Sequence, residues 1–168
     1  NYRYFGGYQL DPGYGNFGKG DVNVYLRFTN DEAVGLGVPL PAGRIRVSQQ
    51  DPADGSLEFI GEDVIDHTPR NEEVRITMGN AFDVVAERTT TDRRRITDRV
   101  HEEDYEVSVR NHKDEDVVVR LVEHPHGYWE VTKTTHEYEK TEASEMEFLI
   151  PVERDGEAVV SYTIRYEW

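Results

Sequence analysis

The chain ends in the stretch VVSYTIRYEW, residues 159–168, and this stretch decides the fold class. In it Val160, Tyr162, Ile164, Tyr166 and Trp168 alternate with polar or charged residues. Because successive side chains of a β-strand point to opposite faces of the sheet, the alternation predicts a strand with one buried face. We expect the side chains of this row to be buried, Trp168 included.

The same alternation recurs in residues 22–29, 105–110 and 146–150, with turn pairs such as Asp54-Gly55 between the apolar runs. About ten or more short strands at this spacing predict an all-β fold, an antiparallel β-sandwich. A finer interpretation divides it into two packed β lobes. We assign residues 1–20 to a Gly/Tyr-rich irregular extension, residues 21–92 to a first β lobe and residues 93–168 to a second, immunoglobulin-like sandwich.

The first twenty residues differ in kind from the rest, since they contain six aromatic residues and six glycines. Glycine at this density resists regular structure. Six solvent-exposed aromatic side chains would form an apolar patch, so we expect the segment to lie against another copy or another part of its own chain.

Composition excludes several classes of function. The chain has 34 acidic and 19 basic residues and a net charge of -15, which disfavours binding to nucleic acids and to anionic membranes. It has no cysteine, so disulfides, zinc–thiolate sites and cysteine nucleophiles are absent. No apolar run reaches the roughly 18 residues of a transmembrane helix. The chain starts at Asn1 without Met, and we expect a processed piece whose export signal preceded it.

Five motifs together resemble a known family. The run GLGVPLPAG, residues 35–43, cannot propagate a helix or a central strand because it contains three glycines and two prolines. The other motifs are Arg44-Ile45-Arg46-Val47, Gly79-Asn80-Ala81-Phe82-Asp83-Val84, Arg110-Asn111-His112-Lys113 and Tyr162-Thr163-Ile164-Arg165-Tyr166-Glu167-Trp168. The set resembles an uncharacterised domain family of bacteria and archaea related to the C-terminal part of mucoidy-inhibitor-A-like proteins.

The resemblance covers residues 21–168. It implies an all-β, extracytoplasmic domain with no assigned activity, so no site residue is carried over. The chain departs from the pattern in two respects. The coiled coil that precedes this domain in the related proteins is missing here, and the Gly/Tyr-rich segment is not part of the family.

His124 and His126 are the candidate metal ligands. Two imidazoles two residues apart can point to one side, and Glu123 and Glu130 lie close in sequence. A zinc site needs three or four converging ligands. The same residues also fit the polar end of a hairpin without a metal, and the sequence leaves both interpretations open.

Two further clusters have both a functional and a structural interpretation. Neighbouring acids such as Glu102 and Glu103 could hydrolyse glycosides, but with one residue in five acidic, adjacent acids are expected by chance. Arg93, Arg94 and Arg95 could bind an anion. Ion pairs with nearby acids, Asp92, Asp98, Glu102 and Glu103, are the interpretation that we favour.

The sequence contains no nucleophile elbow and no phosphate-binding glycine motif. It therefore favours a non-enzymatic interaction or structural module of a cell-envelope or secreted protein, without a cofactor. Its expected partner is another protein or a second copy, bound through a sheet edge or through the aromatic N-terminal segment. The alternative is a carbohydrate-active or metal-dependent hydrolase that uses acidic residues.

Overall fold

The computed structural model describes residues 5–11, 19–20, 22–51 and 53–168. Strands make up 66% of the structure and helix 2%, and several antiparallel sheets pack against one another. The predicted all-β sandwich is therefore confirmed. No helix in the part of the chain described is long and apolar enough to cross a membrane.

Within the Gly/Tyr-rich segment, Phe5–Leu10 and Lys19–Gly20 are strands, so the prediction of an irregular extension was wrong for these residues. Tyr8–Leu10 pair with Val119–Leu121, another part of the same chain. Residues 1–4 and 12–18, which contain four of the six aromatic residues, lie outside the described residues.

The described residues form strands that follow one another with short connections and a single 3-10 turn at Glu32–Val34. The strands are β1 (Phe5–Leu10), β2 (Lys19–Gly20), β3 (Val22–Thr29), β4 (Gly43–Gln50), β5 (Leu57–Ile65), β6 (Glu73–Asn80), β7 (Val84–Arg95), β8 (Val100–Asn111), β9 (Val117–Glu123), β10 (Tyr128–Thr134), β11 (Tyr138–Glu142), β12 (Glu145–Val152) and β13 (Glu157–Glu167).

The chain forms two compact units of two segments each, and residues 23–80 of the first unit are an insertion between the two segments of the second. Of the described residues, the first unit contains 5–7, 23–51 and 53–80, and the second contains 8–11, 19–20, 22 and 81–168. Within the second unit, the amide of Ala81 donates a hydrogen bond to the carbonyl of Val22 across 2.6 Å. The two residues that flank the insertion are therefore direct neighbours. The division predicted from sequence between residues 92 and 93 falls within β7.

The second unit contains two sheets. One has the strand order β11-β12-β9-β1 and the other the order β10-β13-β8-β7-β2. Their strand pairs are antiparallel, except that β1 pairs with β9 in parallel. Alternate residues of β7, β8, β9, β12 and β13 are buried together between them, among them Val84, Val107, Leu121, Phe148 and Ile164. Whether this sandwich is immunoglobulin-like stays a prediction.

The last strand confirms the predicted alternation up to its final residue. Val160, Tyr162, Ile164 and Tyr166 are buried. The expectation that Trp168 is buried was wrong, because its side chain is 65% exposed. The register of β13 with β8 ends at Glu167 and Val100, so Trp168 lies beyond the last pair of the strand.

The first unit has a small core. Strands β3 and β6 pair in antiparallel fashion, and β4 and β5 form a two-stranded hairpin. Among the described residues, Ile65, Val74 and Ile76 form its buried cluster, with partly buried neighbours around them, and Tyr25 is the other buried apolar residue of this unit. A unit with so few buried side chains depends on polar contacts for its shape.

The buried side chain of Asn30 fixes the GLGVPLPAG connection. Its amide nitrogen donates to the carbonyls of Val38 at 2.7 Å and Pro69 at 3.0 Å, and its oxygen accepts from the Gly37 amide at 3.0 Å. Gly37 has a φ of 89°, and a Cβ there would lie 2.7 Å from a carbon of Glu32. The glycine that the sequence showed as a helix breaker is thus required by both its backbone conformation and its close contact.

A bulge in β6 brings the hairpin close to the sheet. The register of β3 and β6 shifts so that Met78 has no partner, and β6 continues to Asn80. The bulge accommodates Gly79, whose φ is 123°, within the strand. Gly61 of β5 lies directly against Met78, where a Cβ would be 2.9 Å from the Met78 Cα. Close by, Asp63 accepts a hydrogen bond from the Thr77 amide at 2.7 Å.

This contact predicts different effects for two glycines of the hairpin, Gly61 in the middle of β5 and Gly43 at the start of β4. Gly61→Ala should destabilise the protein by about 1–3 kcal/mol, because the new methyl group overlaps backbone atoms. Gly43→Ala is the matched control, because a Cβ there meets nothing within 4 Å. It should leave stability unchanged or raise it by up to ~1 kcal/mol through the unfolded state. Urea unfolding of the two variants checks this, and equal midpoints would contradict the close packing.

Candidate functional site

The two predicted metal ligands follow β9 and have different neighbours. The Nε2 atom of His124 lies 3.2 Å from each carboxylate oxygen of Asp11. The ring of His126 stacks on the ring of Tyr166, with 4.7 Å between the ring centroids. Each imidazole is therefore engaged with a different partner.

The acids that lie close to these histidines in sequence face elsewhere. Glu123 is only 3% exposed and bonds to Arg88 in the core, whereas Glu130 accepts a hydrogen bond from Arg165 at 3.2 Å. Within the described ranges, no group of three or more His, Asp or Glu side chains is arranged to hold a metal ion. A metal site at His124 and His126 stays a prediction that lacks a third ligand among these residues.

The core of the second unit contains an ion pair that connects its two sheets. Arg88 of β7 donates to both carboxylate oxygens of Glu123 of β9, from Nε at 2.7 Å and from a terminal nitrogen at 3.0 Å. The guanidinium also lies 4.2 Å from the centre of the Tyr105 ring, a cation–π contact. Burial alone would lower the pKa of Arg88, but the charge of Glu123 raises it above its ordinary value.

Tyrosine hydroxyls complete this buried network. Tyr162 donates a hydrogen bond to Glu123, and Tyr105 donates one to the buried carboxylate of Glu103. Burial raises the pKa of both tyrosines, since the phenolate is poorly solvated there, and the neighbouring carboxylates raise it further. Both phenols therefore remain hydrogen-bond donors over the whole physiological pH range.

A cleft of about 650 Å³ opens at the end of this network. We call it the histidine cleft. Its described lining residues are Arg93, Arg95, Thr97, Asp98, Val100, His101, Glu103, His126 and Trp168. The sequence analysis did not single out His101 as a partner of His126, because the two residues are brought together only by the register of β8, β13 and β10.

Aromatic stacking organises the histidine cleft. The ring of His101 stacks on the ring of Tyr166, with 4.9 Å between the ring centroids. It also contacts the ring of Trp168 in a tilted arrangement, with 4.6 Å between the centroids. His101 comes from β8 and His126 from the loop before β10, the strands on either side of β13. The two imidazoles therefore approach Tyr166 from opposite sides of its strand instead of converging on one point.

The carboxylates of the histidine cleft already have partners. Glu103 bonds to Arg93 at 2.8 Å and lies 3.3 Å from His101, in addition to its bond from Tyr105. Asp98 bonds to Arg95. Glycoside hydrolysis needs two carboxyl groups that face the scissile bond. The geometry here is instead that of a paired network, with exposed Trp168 and Arg93 at its rim.

The arginine run makes ion pairs, as we expected from its neighbouring acids. Arg94 donates to Asp104 at 2.6 Å, to Asp92 at 2.6 Å and to Glu102 at 3.3 Å. A hydrogen bond from Arg165 lowers the pKa of Glu102, and one from Arg94 lowers the pKa of Asp104. The cross-strand pairing of β7 with β8 places these charges side by side. We call Arg94 and its three acidic partners the charge ladder.

The hairpin of the first unit presents a mixed face to solvent. The register of β4 with β5 puts Leu57, Phe59 and Val64 on the face that also bears Arg44 and Arg46. The three apolar side chains are 74%, 61% and 68% exposed. The two arginines bond to a single acid, Glu62, at 2.6 and 3.1 Å. We call this surface the outer hairpin face.

No family model and no curated protein matches the chain. The resemblance to the mucoidy-inhibitor-A-related domains therefore stays a prediction. The functional interpretation depends on the histidine cleft and the outer hairpin face themselves.

The charge ladder predicts a selective effect of pH. Arg94→Gln should raise the pKa of Asp104 toward its ordinary value of 3.8, whereas Glu102, still bonded to Arg165, should change less. A lowered pKa in the folded state stabilises the fold above the ordinary value, and this stabilisation is lost as pH falls through the folded-state pKa. The variant should therefore be less stable than the parent at neutral pH, and the two should become equally stable in acid, where Asp104 is protonated in both. Arg70→Gln, on an exposed pair with Glu32, is the control.

Carboxylate NMR titrations with unfolding curves at several pH values measure both effects. Equal pKa changes at Asp104 and Glu102 would contradict the hydrogen-bond assignment.

The separate environments of the two histidines predict the response to metals. Zinc or nickel should leave the unfolding temperature unchanged. A ligand that binds only the native state must stabilise it by about 2.7 kcal/mol at a hundredfold excess over its dissociation constant. A metal-dependent rise that disappears in the double variant His124→Ala and His126→Ala, measured by differential scanning calorimetry, would overturn our interpretation.

Proposed function

We propose that the chain is a non-enzymatic interaction module that works by contact with another protein. The observation that carries the proposal is the outer hairpin face, where three large apolar side chains remain exposed on one sheet surface. Exposed apolar surface rimmed by polar residues is typical of protein contact sites. Arginine and aromatic residues, both present here, are enriched in such contacts.

The charge of this face indicates the chemistry of the partner. Two arginines share one glutamate, so the face has an excess of positive charge in a chain whose net charge is -15. A complementary surface combines apolar side chains with a carboxylate. The outward edge of β4 also has no strand partner among the described residues, so an extended segment of the partner could add a strand there.

Photo-crosslinking tests the proposal. A benzophenone amino acid in place of Phe59 should capture a protein in extracts of the cells that produce the chain. The same amino acid in place of Leu149 is the matched control, since Leu149 is equally exposed but lies on β12 of the second unit. Sedimentation of the purified chain shows whether the partner is a second copy. A monomer that gives the same crosslinks from both positions would contradict the proposal.

We also propose a location in the cell envelope or outside the cell, which is supported by the family resemblance. Fractionation of the producing cells tests it. Recovery of the full-length protein in the cytosolic fraction alone would contradict it.

The histidine cleft supports a second candidate, a carbohydrate-active or metal-dependent hydrolase. It brings Glu103 together with His101 and His126 in a cavity of about 650 Å³. Hydrolysis of a glycan that is lost in Glu103→Gln and retained in Glu62→Gln would favour this candidate over the interaction module. Absence of turnover on a panel of glycans would exclude it for those substrates.

A further inference from the structure

A second concave site lies within the first unit, on the inward side of the hairpin. It measures about 610 Å³, and its walls include Leu26 and Phe28 of β3, Val47 of β4, Ile60 of β5 and Met78 of β6. We call it the apolar cleft. Small-molecule sites typically occupy about 300–1,000 Å³, so its volume suits an organic ligand.

The lining of the apolar cleft is unusual for this chain. Although 32% of all residues are charged, none of the ten described lining residues has an ionisable side chain. The polar residues that are present, Ser48, Gln49 and Gln50, are neutral and follow one another at the end of β4. The register places Gln49 on the inward face with Val47, whereas Ser48 and Gln50 alternate onto the outer face and border the cleft from the strand end. The site therefore has an apolar body with a neutral, hydrogen-bonding end.

Contacts within the first unit fix the positions of the strands that form the walls of the apolar cleft. The close approach of Gly61 to Met78 and the bond from the Thr77 amide to Asp63 fix the hairpin at its base. The register shift between β4 and β5 leaves Ile60 without a partner and directs it to the cleft. On another side Leu36 belongs to the connection that Asn30 fixes. Because these contacts are made by backbone and buried groups, the cleft does not depend on an occupant for its shape.

We infer that the apolar cleft binds an uncharged amphiphile, an aliphatic chain with a neutral polar head group. The chain removes the apolar lining from water, and the head group lies at the inward-facing Gln49. A charged head group would lose its hydration beside a lining that offers no counter-charge, which disfavours it. The inference goes beyond the proposed protein contact, because it uses the inward side of the hairpin and different residues.

The negative charge of the protein allows binding in the apolar cleft to be distinguished from general electrostatic attraction. With a net charge of -15, general electrostatic attraction predicts that a cationic amphiphile binds best and that salt weakens it. The apolar cleft predicts instead that an uncharged amphiphile of the same chain length binds best and is insensitive to salt. The probes are octyl glucoside, octylammonium and octanoate, each below its critical micelle concentration.

The two methionines of the chain provide the readout. Met78 lines the apolar cleft, and Met146 is fully buried in the core of the second unit. With carbon-13 in the methionine methyl groups, octyl glucoside should shift the Met78 signal saturably and leave the Met146 signal in place. Hexyl glucoside should bind on the order of tenfold more weakly, since each buried methylene contributes about fourfold in affinity.

A pair of variants on one strand provides the control. Ile60→Glu places a charge in the cleft wall, whereas Val64→Glu places the same charge on the outer hairpin face of β5. Both positions are already exposed, so both variants should fold. Octyl glucoside should shift Met78 in Val64→Glu as in the parent chain and should fail to shift it in Ile60→Glu.

Three results would overturn the inference. One is an unchanged Met78 signal in octyl glucoside, and another is a shift with octylammonium that is equal or larger. The third is a Met78 signal that changes with protein concentration alone, which would assign the cleft to a second copy. None of these results bears on crosslinking from Phe59, so the two proposals fail independently.

Discussion

The buried pair of Arg88 and Glu123 is the constraint around which the second unit is organised. Removing two charges from water costs several kcal/mol for each ion, and their attraction offsets this only when the geometry is good and the remaining hydrogen bonds are made. Here the pair is bidentate, Tyr162 supplies a further donor, and the Tyr105 ring covers the guanidinium. Because Arg88 and Glu123 lie on different sheets, the pair holds only if β7 and β9 face each other at one offset.

The network continues from the pair toward the surface. Tyr105 joins it to Glu103, and Glu103 joins it to Arg93 and His101 at the histidine cleft. A side chain in the cleft is therefore positioned by contacts that begin in the core. The first unit is organised differently, since a neutral side chain, Asn30, and one glycine contact determine its form.

Much of the fold could be predicted from the sequence because the alternation of β12 and β13 is regular. The buried pair could also have been found. Arg88 continues the inward row of Val84 and Ala86, and Glu123 continues the row of Val117, Val119 and Leu121. Opposite charges that continue the inward rows of two strands indicate an internal ion pair. From the sequence we instead considered Glu123 only as an acid close to the candidate metal ligands His124 and His126.

Other features could not be predicted from the alternation alone. Trp168 has the right spacing for burial but lies past the end of the paired strand, and an alternating pattern does not show where the opposing sheet stops. The meeting of His101 with His126 depends on the register of β8 and on the course of a loop. The apolar cleft arises from two bulges, at Met78 and Ile60, and a bulge reverses the faces that a regular alternation would assign.

The hydrogen bond from Ala81 to Val22 has a consequence for the order of synthesis and folding. The second unit is completed only after residues 23–80 of the first unit have been made, since Tyr8–Leu10 pair in parallel with a strand that the ribosome makes much later. Tyr8–Leu10 must therefore wait for this partner while residues 23–80 emerge. Because Val22 and Ala81 are hydrogen-bonded neighbours, the chain leaves the second unit and returns to it at a single point, so the 58 residues between them close a loop whose two ends meet.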